Sequence, residues 1–157
     1  MKIKKFGKTE DRVLDLVLPI ADELGYDLWD VCYEKEGAQW YLRIFIDKEE
    51  GISMADAEKM TEPVNEILDR VDPIKESYIL EVGSPGLDRR LQRNYQFEAS
   101  LGLCVTVTRT HAPKGEEKEI RGRLESFDEE KAMIRVGDRE FSLDELSGVK
   151  IFDDIQF

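Results

Sequence analysis

The chain is poor in the residues that most often carry catalysis. In 157 residues it has one histidine and two cysteines. His111 lies between Thr110 and Ala112-Pro113 in a polar stretch. A histidine-based triad or metal site therefore has little support. Cys32 and Cys104 are far apart, form no CxxC and lie within apolar runs. That placement predicts reduced core residues in a reducing cytoplasm. No stretch approaches the ~20 apolar residues that cross a bilayer. The basic start Met1-Lys2-Ile3-Lys4-Lys5 leads to Glu10-Asp11, not to a signal-like apolar run.

Familiar reaction motifs are missing too. There is no P-loop and no GxGxxG after a strand. Gly83-Ser84-Pro85-Gly86 is not a nucleophile elbow, because Pro85 would disturb the strand-to-helix turn that motif needs. Asp47-Lys48-Glu49-Glu50-Gly51 is acidic but lacks the spacing of a calcium loop. The expectation is a protein with no catalytic set, no cofactor and no metal. A small RNA-modifying enzyme would need a cofactor loop or a buried acid/base pair.

Charge is the first positive signal. The net charge is −12. Residues 1–90 carry 13 basic and 21 acidic side chains, and residues 91–157 carry 10 and 14. Both halves repel polyanions on average, unlike a general nucleic-acid coat protein. The balance suits a basic protein partner, with local cations left to touch RNA.

Periodicity divides the chain in two. Val13, Leu14, Val17, Leu18, Ala21 and Leu24 recur at helical spacing behind a Thr9 cap, with Gly25 as the stop and Pro19 as a possible kink. Runs 28–34 and 40–47 read as an antiparallel hairpin. Ser53 opens a second helix with a capping-box pattern, and Pro63 sits inside it. Residues 78–82 form a third strand. After residue 93 the pattern becomes short strands at 102–109, 118–126, 131–136, 139–143 and 149–152. A Gly137-Asp138 turn and one helical turn near 144–148 complete it. Gly122 offers a bend in the long strand.

The fold class expected is α+β: an N-terminal α-β-β-α-β domain over 1–83, a hinge over 84–93, and a C-terminal all-β SH3-like or Sm-like small barrel over 94–157.

The joint carries the strongest local chemistry. Pro85-Gly86 is a turn signal, Pro presetting φ and Gly accepting positive φ. Leu87 can anchor the turn and Asp88 can pair with Arg89 or Arg90. Ser84, Pro85, Gly86, Leu87, Asp88, Arg89, Arg90 and Arg93 are therefore candidates for a hinge with a basic contact side. Arginine forks suit phosphate and carboxylate. Arg121 and Arg123 alternate on one strand and should share a barrel face, a second candidate contact.

Four stretches together resemble the bacterial ribosome maturation factor RimP family: Tyr41-Leu42-Arg43-Ile44-Phe45-Ile46-Asp47, the helix opening at Ser53, Asp72-Pro73-Ile74, and Leu80-Glu81-Val82-Gly83-Ser84-Pro85-Gly86-Leu87-Asp88-Arg89. Gly122 and Phe141-Ser142-Leu143-Asp144 also fit. The chain departs from the family pattern at Gly83, where Ser is usual, and at Arg90, where Pro is usual. The resemblance implies a non-catalytic factor for maturation of the small ribosomal subunit. Its implied partners are the immature subunit, ribosomal protein S-twelve and nearby rRNA. A cytoplasmic monomer with no membrane contact is expected. The alternative is an Sm-like RNA-binding regulator.

Overall fold

The first amphipathic segment folds as helix α1, Lys8–Leu24. Val13, Val17 and Ala21 are fully buried, as their spacing requires. Thr9 does not cap it. The N-cap is Gly7, whose N–H donates to Glu10 Oε1 at 2.9 Å. Glycine has no side-chain acceptor, so the carboxylate three residues on satisfies an orphan donor. Oε2 of the same Glu10 accepts the Tyr33 N–H at 2.8 Å, which ties the helix start to a strand. The helix continues through Pro19 and ends at Gly25, which takes the left-handed conformation with φ 80°.

The computed structural model describes residues 1–86 and 89–152. Strands β1 (Asp27–Glu36) and β2 (Gln39–Asp47) pair antiparallel around the turn Gly37–Ala38, with a bulge between Leu28 and Asp30. Leu42, Ile44 and Ile46 of β2 are fully buried. Helix α2 (Met54–Val71) begins at Ser53, whose Oγ accepts the Asp56 N–H at 3.1 Å. The Asp56 carboxylate accepts the Ser53 N–H at 2.9 Å in return, a reciprocal box. The chain comes back as β3 (Tyr78–Gly83), parallel to β2, giving the order β1-β2-β3. Helix residues Val13, Val17, Met60, Val64 and Leu68 share one core with Val31, Leu42, Ile44 and Ile46. Both helices therefore lie on one face of a three-stranded sheet.

The chain divides into two compact units: Phe6–Pro85, and Met1–Lys5 together with Gly86–Phe157. In the latter, a short helix α3 (Asn94–Ala99) precedes β4 (Cys104–Arg109), β5 (Glu119–Asp128), β6 (Met133–Val136) and β7 (Arg139–Ser142). A 3₁₀ turn at Leu143–Glu145 leads into β8 (Leu146–Ile151). The strand order is β7-β6-β5-β4-β8, with every pairing antiparallel. Val105, Val107, Leu124, Ile134, Phe141, Leu143, Leu146 and Val149 are buried with Leu91 and Phe97 of the preceding segment. The α3 helix was not anticipated; its Phe97 stacks on Phe127 at 4.8 Å between centroids.

Met1–Lys5 join this second unit through backbone bonds. The Met1 nitrogen donates to the Leu143 and Leu146 carbonyls, and the Lys4 N–H to Gln92 O at 2.7 Å.

The cysteines correct an expectation. Cys32 is half-buried and Cys104 is exposed. Cys104 opens β4 opposite Arg123, on the outer face, whereas Val105 and Val107 are the inward residues. The apolar run was real, but alternation put its cysteine outside. Among the described residues, no helix is long and apolar enough to cross a membrane.

Candidate functional site

Sequence placed candidate contacts in two separate stretches, at the joint and on the strand that folds as β5. The boundary between units falls between Pro85 and Gly86, and Gly86 has φ 77°. Ser84 and Gly86 are exposed and Pro85 is half-buried. Leu87 and Asp88 lie outside the described residues. From Arg89 onward the segment runs alongside β8. The Arg89 carbonyl accepts the Ile151 N–H at 3.0 Å, and the Leu91 N–H donates to Val149 O at 2.8 Å. Arg90 bridges Lys150 between these two bonds.

Pairing then sorts the three joint arginines. Arg90 is exposed, Arg89 is half-buried, and Arg93 is 1% exposed. The Arg93 guanidinium reaches the Lys4 carbonyl at 3.4 Å. Arg93 is therefore a packing residue of the second unit and not part of the exposed basic side. Arg121 and Arg123 are both exposed on one face of β5, two residues apart.

Register brings the two stretches together. Arg121 pairs with Thr106 on β4, Thr106 pairs with Lys150 on β8, and Lys150 bridges Arg90. Directly paired residues point to the same face of a sheet. Arg90, Lys150, Thr106 and Arg121 thus form one row across four neighbouring strands, about 14 Å long at a strand spacing of about 4.8 Å. Thr106 is 3% exposed although it faces outward, flanked by the two long cations. Arg123 lies one step along, opposite Cys104. The Arg121 guanidinium sits 4.4 Å above the Phe152 ring, within cation–π range.

On the other side of the row, Gly148 and Glu119 both pair with Thr108. A shallow cavity of about 190 Å³ opens there, lined by Arg90, Thr108, Glu119, Ser147, Gly148, Val149 and Lys150. Nothing lies within 4 Å of where a Cβ on Gly148 would stand. Lys150, Thr106, Gly148 and Phe152 were missed from sequence. Alternation in the last strand marks Lys150 as outward, but its neighbours are set by long-range register.

A second cluster in the same unit closes on itself. Arg109 bonds Glu116 at 2.6 Å and lies 5.5 Å over the Phe141 ring, with Arg139 on that ring at 5.4 Å. The Arg109 guanidinium holds the Glu116 carboxyl below its usual value. His111 is exposed at the rim of the adjoining cavity. Among the described residues, no three His, Cys, Asp or Glu side chains are grouped to hold a metal.

Residues 16–88 match the family model of the RimP N-terminal domain. That segment, a little under half of the chain, is similar to a RimP N-terminal domain. The match begins inside α1 and ends in the joint, so it takes in the hairpin, α2, β3 and Gly83-Ser84-Pro85-Gly86. RimP is a family of ribosome maturation factors. The basic row lies beyond the matched segment except for its neighbours at the joint.

Proposed function

We propose that the chain is a non-catalytic assembly factor that docks on the immature small ribosomal subunit, through ribosomal protein S-twelve and nearby rRNA, and then leaves. The observation that carries this is the RimP family match over residues 16–88. The net charge of −12 supports a very basic protein partner, because complementary potentials speed encounter and set orientation. The strand order β7-β6-β5-β4-β8 with a 3₁₀ turn before β8 is the order expected of a small Sm-like barrel, and it favours that reading of the second unit. Ser84, Pro85 and Gly86 serve as the hinge, and the exposed cations Arg90, Arg121 and Arg123 as the side turned to rRNA. The protein acts in the cytoplasm as a monomer.

Deleting the gene and profiling ribosomes tests this. The expected result is an excess of free small subunits carrying immature rRNA. An unchanged ratio of subunits to assembled ribosomes would sink it. The basic row gives the Sm-like RNA-binding regulator a specific observation in its favour. That alternative predicts tight, salt-sensitive binding to free RNA and weak binding to S-twelve; the assembly factor predicts the reverse order of affinities.

A further inference from the structure

We infer that the row Arg90, Lys150, Thr106 and Arg121 is a track for single-stranded RNA, and that the notch at Gly148 takes a ribose. The inference rests on the ribosomal reading above and adds to it the surface and the form of the RNA.

Three features of the face point to a nucleic-acid strand. The cations are spread along the row, Arg90 and Lys150 on one side of Thr106 and Arg121 on the other, instead of clustering at one point. A backbone of repeating phosphates matches a linear series of charges, whereas a single acidic side chain needs only one fork. Next, the Arg121 guanidinium carbon lies over the Phe152 ring, 4.4 Å from its centroid. A planar guanidinium braced on a ring offers its other face to an unstacked base, which is how single-stranded RNA is commonly gripped. Finally, the row sits beside a notch in which β8 has no side chain, at Gly148.

The notch is selective by size and chemistry. At about 190 Å³ it falls below the ~300–1,000 Å³ of ordinary small-molecule sites. A sugar reaching in from a strand laid on the row fits better than a free ligand. Thr108 and Glu119 line it. A hydroxyl and a carboxylate are acceptors for a ribose 2′-OH, the group that separates RNA from DNA. Glu119 also sets an edge to the track, since its charge repels phosphate and keeps the backbone on the cations.

Fluorescence anisotropy of the full chain with labelled rU12 and dU12, across salt, tests the inference. Three cations predict a log–log salt slope near −2 for rU12, at about 0.7 per cation. Arg121→Gln and Lys150→Gln should each weaken binding several-fold and flatten the slope by about 0.7. Gly148→Val should weaken rU12 several-fold with the slope unchanged, and should narrow the preference for rU12 over dU12. Unchanged thermal unfolding of these variants secures the comparison. Absence of measurable rU12 binding, or binding by the Arg121→Gln/Lys150→Gln variant equal to that of the unmodified chain, overturns the track. Equal affinity for rU12 and dU12 overturns the ribose assignment. Row-dependent rU12 binding by a chain that fails to sediment with precursor small subunits supports the track and overturns the ribosomal reading instead.

Discussion

The Tyr26 hydroxyl donates to Asp56 Oδ1 at 2.8 Å, joining the entry of β1 to the first turn of α2. Lys48 adds an ion pair at 3.0 Å, and Ser53 donates both its N–H and its hydroxyl to Oδ2 at 2.9 Å. One carboxylate thus caps a helix and holds two loops. Its pKa is driven well below the ordinary carboxylate range, first by the Ser53 backbone N–H, then by Lys48 and Tyr26.

Acid should therefore weaken the first unit through Asp56. A depressed folded pKa means the contribution is present in full above about pH 4, the ordinary Asp value, and is lost as pH falls through the folded value. Denaturation of Asp56→Asn beside the unmodified chain should show a wide stability difference at pH 7 and a narrower one at pH 3. A difference that stays constant over that range would sink the assignment.

Gly122 is needed for its lack of a side chain. A Cβ there would stand 2.9 Å from Val136 Cγ1, across the β5–β6 pair. Gly122→Ala should destabilise by about 1–3 kcal/mol, the usual overpacking range. Gly122→Ala/Val136→Ala should recover part of the loss, since the clashing methyl is gone. Urea midpoints of the two variants decide this.

Ala132 sits at φ 52° in the β5–β6 connection, where a Cβ is unfavourable. Ala132→Gly should stabilise by about 0.5–1 kcal/mol, after the greater freedom of glycine in the unfolded chain is set against the relieved strain. A lowered melting temperature would contradict it.

Leu91 is fully buried although it follows the joint by only a few residues. Leu91→Ala should cost about 2–5 kcal/mol by leaving a cavity in the second unit. Arg43→Ala should cost no more than about 1 kcal/mol, because its bridges to Glu36 and Glu81 are half in solvent. Equal penalties would mean that Leu91 is not core.

What was legible in the sequence was local. The period-two pattern of Leu42, Ile44 and Ile46, the Ser53 cap and the Gly137 turn are each decided within a few residues. The first cap was misplaced at Thr9 because Gly7 has no acceptor of its own and borrows Glu10, which sequence rules score as a dipole effect only. Helix α3 is too short to show a period. The basic row was half legible. Arg121 and Arg123 alternate visibly, but Arg90 and Lys150 meet them only through strand order and register. Arg93 looks like its neighbours in sequence and differs only in burial.

Met1–Lys5 pack with residues that lie some ninety and some hundred and forty positions further on. Their contacts with carbonyls there form only once the distant segments are in place. The second unit is thus discontinuous along the chain, and the first is an insertion within it. Closing such a long loop is slow compared with local pairing. A fragment cut at Gly86 would be missing five residues that belong to its own unit. That unit is therefore complete only when Met1–Lys5 have docked on residues far along the chain.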